Sequence, residues 1–186
     1  MKRESIAVIH GRFQPLHMGH LEYLLAGKQM ADVLIVGITS PDPWLLGEEQ
    51  AAPERGDPLA NPCTYWERLL MVSSSLIESG VSRDEFYIVP FPHSYPERLK
   101  YYAPSDALYL LTIYDEWGEV KRQRLESLGL RTSVLWRRKK KVTSGTELRR
   151  LIVEGGDWKS KIPSAALKVI LEHAIDDRIR ANLSGR

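Results

Sequence analysis

Apolar residues fall along this chain in two rhythms. Five short runs lack alternation: Ser5 to His10, closed by Gly11; Val33 to Ile38; Phe86 to Val89; Ala107 to Leu111; and Thr132 to Trp136. Continuous β-branched and apolar runs of this length fit strands covered on both faces. Between them the apolar spacing turns helical. Leu21, Leu24, Leu25 and Met30 recur at near-helical intervals, which predicts a helix from about Met18 to Met30. A second helix is expected over Tyr65 to Ser79, with Thr64 as N-cap, Glu67 completing a capping box and Gly80 as the stop. Others are expected over Glu116 to Leu128, ended by Gly129, and over about Gly145 to Glu154, ended by Gly155-Gly156. A last amphipathic helix starts after Pro163-Ser164 and runs to about Ile179. Strands alternating with helices imply an α/β chain with a doubly wound, five-stranded parallel sheet. In such sheets ligands sit beyond the carboxyl ends of the strands, where chain order reverses.

One stretch fits neither rhythm. Residues 41–62 hold five prolines and read as one long loop, either a binding lid or a tolerated surface insertion. The 186 residues suit one domain over 1–181 with a polar tail at 182–186. Hydrophobic residues at 43% and charged residues at 27% exclude wholesale disorder. No apolar run approaches the ~20 residues of a membrane span, and no signal peptide is read. With Cys63 as the one cysteine, a disulfide within the chain is excluded and a cytoplasmic location is expected.

The net charge of +2 hides a separation. Residues 131–150 carry eight Lys or Arg against one acid, Glu147, whereas residues 41–60 carry five acids against one Arg. The run Arg137 to Lys141 reads either as a solvated basic loop or as phosphate attraction, and it is too local for a nucleic-acid face.

Candidate chemistry gathers just after the first strand, in Gly11-Arg12-Phe13-Gln14-Pro15-Leu16-His17-Met18-Gly19-His20. Histidines three apart at a helix start lie on nearly one face and flank the unpaired N–H groups of its first turn, a ready anion site. Metal ligation by the pair lacks an evident third ligand.

That decapeptide resembles the signature of the HxGH nucleotidyltransferase superfamily, and most closely the archaeal-type nicotinamide mononucleotide (NMN) adenylyltransferases, whose motif reads G-R-F-Q-P-x-H-x-G-H. Ser144-Gly145-Thr146-Glu147-Leu148-Arg149-Arg150 resembles the S-x-T-x-x-R segment of that family, and Asn61 to Arg68 resembles its N-P-F-T-x-x-E-R. The resemblance implies a Rossmann-like, HUP-type nucleotidyltransferase fold and release of pyrophosphate from an NTP, ATP or CTP, without a covalent enzyme intermediate. His17, His20 and Arg149 would be catalytic. Arg12, Phe13, Gln14, Gly19, Ser144, Gly145, Thr146 and Arg138 would hold the triphosphate. Magnesium would arrive with the NTP rather than on protein ligands. The resemblance also implies a homo-oligomer, with no nucleic acid and no membrane as partners.

Three segments depart from that family. Gly37-Ile38-Thr39-Ser40-Pro41-Asp42 replaces G-x-G-S-A-Q, Thr112-Ile113-Tyr114-Asp115-Glu116-Trp117 replaces S-G-N-P, and His93 to Tyr102 lacks the N-x-x-W pairing. These are the regions that read the base and the acceptor. Thr39, Arg98, Thr112, Tyr114 and Trp117 are therefore the candidates for base or acceptor binding, Arg98 suiting a phosphate- or phosphonate-bearing small molecule. The leading expectation is ATP plus NMN to NAD. The alternative is cytidylyl transfer to a phosphonate or another phosphorylated metabolite, and a different class is a non-catalytic nucleotide sensor.

Overall fold

The computed structural model describes residues 3–40, 58–140 and 142–183. Most of the expected loop and its lid reading, Lys141 and the last three residues lie outside that set. Five strands, β1 (Glu4–Gly11), β2 (Ala31–Thr39), β3 (Phe86–Phe91), β4 (Leu108–Ile113) and β5 (Arg131–Arg137), form one parallel sheet in the order β3-β2-β1-β4-β5. The helices are α1 (Met18–Met30), α2 (Tyr65–Glu78), α3 (Glu116–Ser127), α4 (Gly145–Glu154), α5 (Ser164–Glu172) and α6 (Ile175–Leu183). This is the doubly wound α/β architecture expected from the sequence. Chain order reverses between β1 and β4, so the crevice for a ligand opens at their carboxyl ends.

The two faces of the sheet are covered unequally. Ala7 and Ile9 of β1 point into a large core that α1, α2, α4, α5 and α6 all enter, through residues such as Leu24, Met71, Ile152, Ile170 and Ile179. Val8, between them, points the other way, into a smaller core with Ile35, Phe91, Tyr109 and Leu125 of α3. That alternation is the period of two of a strand buried on both sides.

The chain departs from expectation near its end. One continuous helix to Ile179 was expected, but Ala174 adopts a left-handed φ of 49° and separates α5 from α6. Tertiary packing outweighs the local pattern here. The turn buries Ile175 and Ile179 completely and brings the Arg178 guanidinium onto both Glu67 oxygens at 2.8 and 2.9 Å and onto the Pro62 carbonyl at 2.9 Å. Asp176 and Asp177 supply the acidic first turn that a new helix favours. Glu67 also completes the expected capping box of α2, its carboxylate accepting from the Thr64 N–H at 2.8 Å.

Beside it, Arg68 is 2% exposed and holds three segments together. Its guanidinium donates to the carbonyls of Arg12 (3.1 Å), Thr39 (2.7 Å), Ser40 (2.8 Å) and Thr64 (3.1 Å). These lie at the exits of β1 and β2 and at the start of α2, so one side chain satisfies the backbone where two strands leave the sheet. Burial pulls its pKa down to about 10, which leaves it charged at neutral pH. Arg68→Met would take this donor from the Arg12, Thr39 and Ser40 carbonyls, while that of Thr64 keeps the Arg68 backbone N–H, and is expected to lower the unfolding free energy by about 3–5 kcal/mol, read from urea denaturation followed by circular dichroism.

Candidate active site

Beyond the ends of β1 and β4 lies a cavity of about 880 Å³. Its walls come from the β1 exit, the start of α1 and the start of α4, the segments that carry the first two motifs, and from the β4 exit.

The first wall is made rigid by contacts within the decapeptide. His17 is the N-cap of α1 and is 5% exposed, and its Nδ1 accepts from the His20 N–H at 3.3 Å. A neutral His17 therefore carries its proton on Nε2, which makes that atom a donor. The two imidazoles stack at 3.7 Å between centroids, and Phe13 meets His20 edge-on at 4.9 Å. Phe13 sits at φ 53°, a region disfavoured for a side chain of its size. Its complete burial and the Arg68 bond to the Arg12 carbonyl fix that turn.

The second wall is the N-terminus of α4. Leu148 and Ile152, one turn apart, are fully buried and seat this helix on the large core, at roughly 1.5–3 kcal/mol each. Ser144 caps it, its hydroxyl accepting from the Glu147 N–H at 3.1 Å. At Gly145 a Cβ would stand 2.9 Å from the Gln14 carbonyl oxygen, so glycine permits the close approach of the two motif segments. Arg149 closes the join. It is 6% exposed and donates to that same Gln14 carbonyl at 2.8 Å and to the Thr146 hydroxyl at 3.3 Å. Two histidines, a helix N-terminus and a guanidinium thus face one cavity, an arrangement suited to binding a polyphosphate and stabilising charge that develops on it.

Comparison with known proteins agrees with this geometry. Residues 8–174 match the model of a family described as cytidylyltransferase-like. The chain belongs to the cytidylyltransferase-like family. Like its family, it is a nucleotidyltransferase. It is 57% identical over 184 residues to a phosphonoformate cytidylyltransferase of Streptomyces viridochromogenes, across 97% of this chain and 100% of the relative. To a nicotinamide-nucleotide adenylyltransferase of Methanothrix thermoacetophila it is 34% identical over 176 residues, 91% of each chain. Among solved structures, a bifunctional NMN adenylyltransferase/ADP ribose pyrophosphatase from Francisella tularensis shares the fold, with a TM-score of 0.66 at 18% identity, over 96% of this chain and about half (53%) of that one.

Within this cytidylyltransferase-like chain, the cavity gathers Arg12, Phe13, Gln14, His17, Gly19, His20, Ser144, Gly145, Thr146 and Arg149, and also Thr112, Tyr114 and Trp117. Three of the residues expected from the sequence stand elsewhere. Arg138 follows the edge strand β5, lies over the Trp136 ring and pairs with both Glu22 oxygens at 2.8 and 3.0 Å. Arg98 is exposed and packs over Tyr95. Thr39 is buried, its carbonyl held by Arg68. Gln14 lines the cavity while its side-chain amide is engaged with the Cys63 backbone, donating to the carbonyl at 3.0 Å and accepting from the N–H at 2.8 Å. Sequence reasoning missed His10 and Lys121, which line the same cavity. A histidine closing an apolar strand, and a lysine four residues after Trp117 on one helix face, were the available signals.

The two carboxylates of the cavity are already engaged. Asp115 caps α3 by accepting from the Gly118 N–H at 3.0 Å, and Glu154 pairs with Arg150. Among the described residues no three His, Cys, Asp or Glu side chains form a group able to hold a metal ion.

The Gln14 clasp makes a prediction for Cys63, whose thiol burial pushes up to about 12. A thiol raised in this way is protonated and inert at pH 8. Native protein is expected to resist a chromogenic disulfide reagent at that pH, and Gln14→Ala to become reactive, as read by absorbance.

Proposed function

We propose that this protein is a cytidylyltransferase that moves CMP from CTP onto the phosphonate of a small acceptor such as phosphonoformate, releasing pyrophosphate. One observation carries this reading: identity of 57% to the Streptomyces enzyme over the whole of that relative, against 34% to the archaeal adenylyltransferase. The departures from the adenylyltransferase pattern at Thr112 to Trp117 and at His93 to Tyr102 support it, since the phosphate-facing motifs stay intact while the base- and acceptor-reading segments change.

A phosphonate oxygen attacks the α-phosphorus of CTP in line with the bond to the bridging oxygen. The new P–O bond forms as the α–β bridge breaks, and that electron pair leaves on pyrophosphate. No proton has to be removed from an ionised phosphonate, so positioning and charge stabilisation carry the reaction. His17 donates through Nε2, and His20, stacked on it, faces the same α-phosphate oxygens. The N–H groups opening α4, with Ser144 and Thr146, hold the β- and γ-phosphates. Arg149, fixed between Gln14 and Thr146, balances charge gathering on the leaving pyrophosphate. Magnesium carried by the triphosphate would supply further charge neutralisation.

Incubation with magnesium, each of the four NTPs and either phosphonoformate or NMN tests this reading through pyrophosphate release. Turnover is expected with CTP and phosphonoformate; turnover with ATP and NMN in its place would overturn the assignment. His20→Ala is expected to lower kcat about 10²–10³-fold with a smaller effect on CTP affinity, as steady-state kinetics and equilibrium binding would separate.

A further inference from the structure

A second set of cavity residues comes from the β1 end and from α3 rather than from the two helix N-termini. His10 ends the apolar run of β1, is 8% exposed, and its Nδ1 has no hydrogen-bond partner among the described residues. Its ring lies flat on Phe91, with centroids 4.5 Å apart and planes 3° apart. That stack depends on Gly37, the residue paired with His10 across the β1–β2 ladder, because a Cβ there would overlap the Phe91 ring. His93 approaches His10 at 5.8 Å and Trp117 at 5.6 Å, and Arg124 lies 3.3 Å from the His93 Nδ1. Lys121 completes this part of the cavity. Burial first, then the Lys121 charge and His93, hold the His10 pKa well below its ordinary value, so the ring is neutral and offers one N–H.

A buried polar atom without a partner costs about 1–3 kcal/mol, and this one belongs to a ring that lines the cavity together with Lys121. We infer that this wall is a subsite for the carboxylate of a phosphonocarboxylate acceptor, with His10 donating a hydrogen bond and Lys121 supplying the charge. The inference rests on the phosphonate reading above and extends it to residues that lie outside the matched motifs. A pyridinium ring, as in NMN, would meet an ammonium of the same sign.

Calorimetric titration tests the subsite apart from turnover. Protein loaded with magnesium and a non-hydrolysable CTP analogue is titrated with phosphonoformate and with carbamoylphosphonate, its isostere with a neutral carboxamide. Wild type is expected to prefer the carboxylate by about tenfold or more. Lys121→Met and His10→Phe, which keeps the stack on Phe91, are each expected to reduce that preference to about threefold or less, and Lys121→Arg to retain most of it. Equal affinity in wild type, or an unchanged preference in both Lys121→Met and His10→Phe, overturns the subsite. Preference in binding without any product from CTP would support the subsite and remove cytidylyl transfer instead.

Discussion

The buried guanidinium of Arg68 is the constraint on which the site depends. Four carbonyls at the exits of β1 and β2 and at the head of α2 converge on it, that of buried Thr39 among them. By satisfying them, a helix side chain sets where the decapeptide turn starts and allows Phe13 to stay at a backbone angle it would not choose alone. The stacked histidines inherit their position from that turn. Electrostatic catalysis needs donors already aimed before the substrate arrives, and the role proposed for the two histidines would draw on backbone groups tied down inside the protein.

A second tie runs between segments far apart in sequence. Arg149 of α4 reaches the carbonyl of Gln14, and Gly145 gives the two backbones room to meet. The helix itself stands on Leu148 and Ile152. Hydrophobic burial therefore sets the height of its N-terminus, and one charged hydrogen bond sets its register against the β1 turn. The same division recurs at the end of the chain, where Ile175 and Ile179 seat α6 and Arg178 fastens it to Glu67 and Pro62.

Much of the fold was legible because its signals are local. Buried strands announce themselves as apolar runs, and Thr64 with Glu67 marks a helix start through chemistry confined to four residues. The break at Ala174 was not legible, since its reason is a distant glutamate. The same distinction applies to the site. The decapeptide and the Ser144 segment are continuous in sequence and could be read as units. The clasp of the Gln14 amide could not be read, because its partner is the Cys63 backbone, 49 residues away. Arg138 sits in a basic run that looks phosphate-facing until Glu22 of α1 is placed beside it. His10 and Lys121 share no motif. Only the neighbouring strand ends and α3 bring them into one cavity.

The unequal coverage of the sheet bears on how such a chain can change. The helices α1 and α4, whose N-termini line the cavity, sit in the large core with most of the other helices, while α3 reaches the smaller core through Leu125. Substitutions that reshape the face of α3 turned to the cavity disturb few of the contacts that aim the histidines. Retention of chemistry and divergence of substrate can then proceed on opposite sides of one sheet, and a lineage can acquire a new acceptor without first weakening its reaction centre.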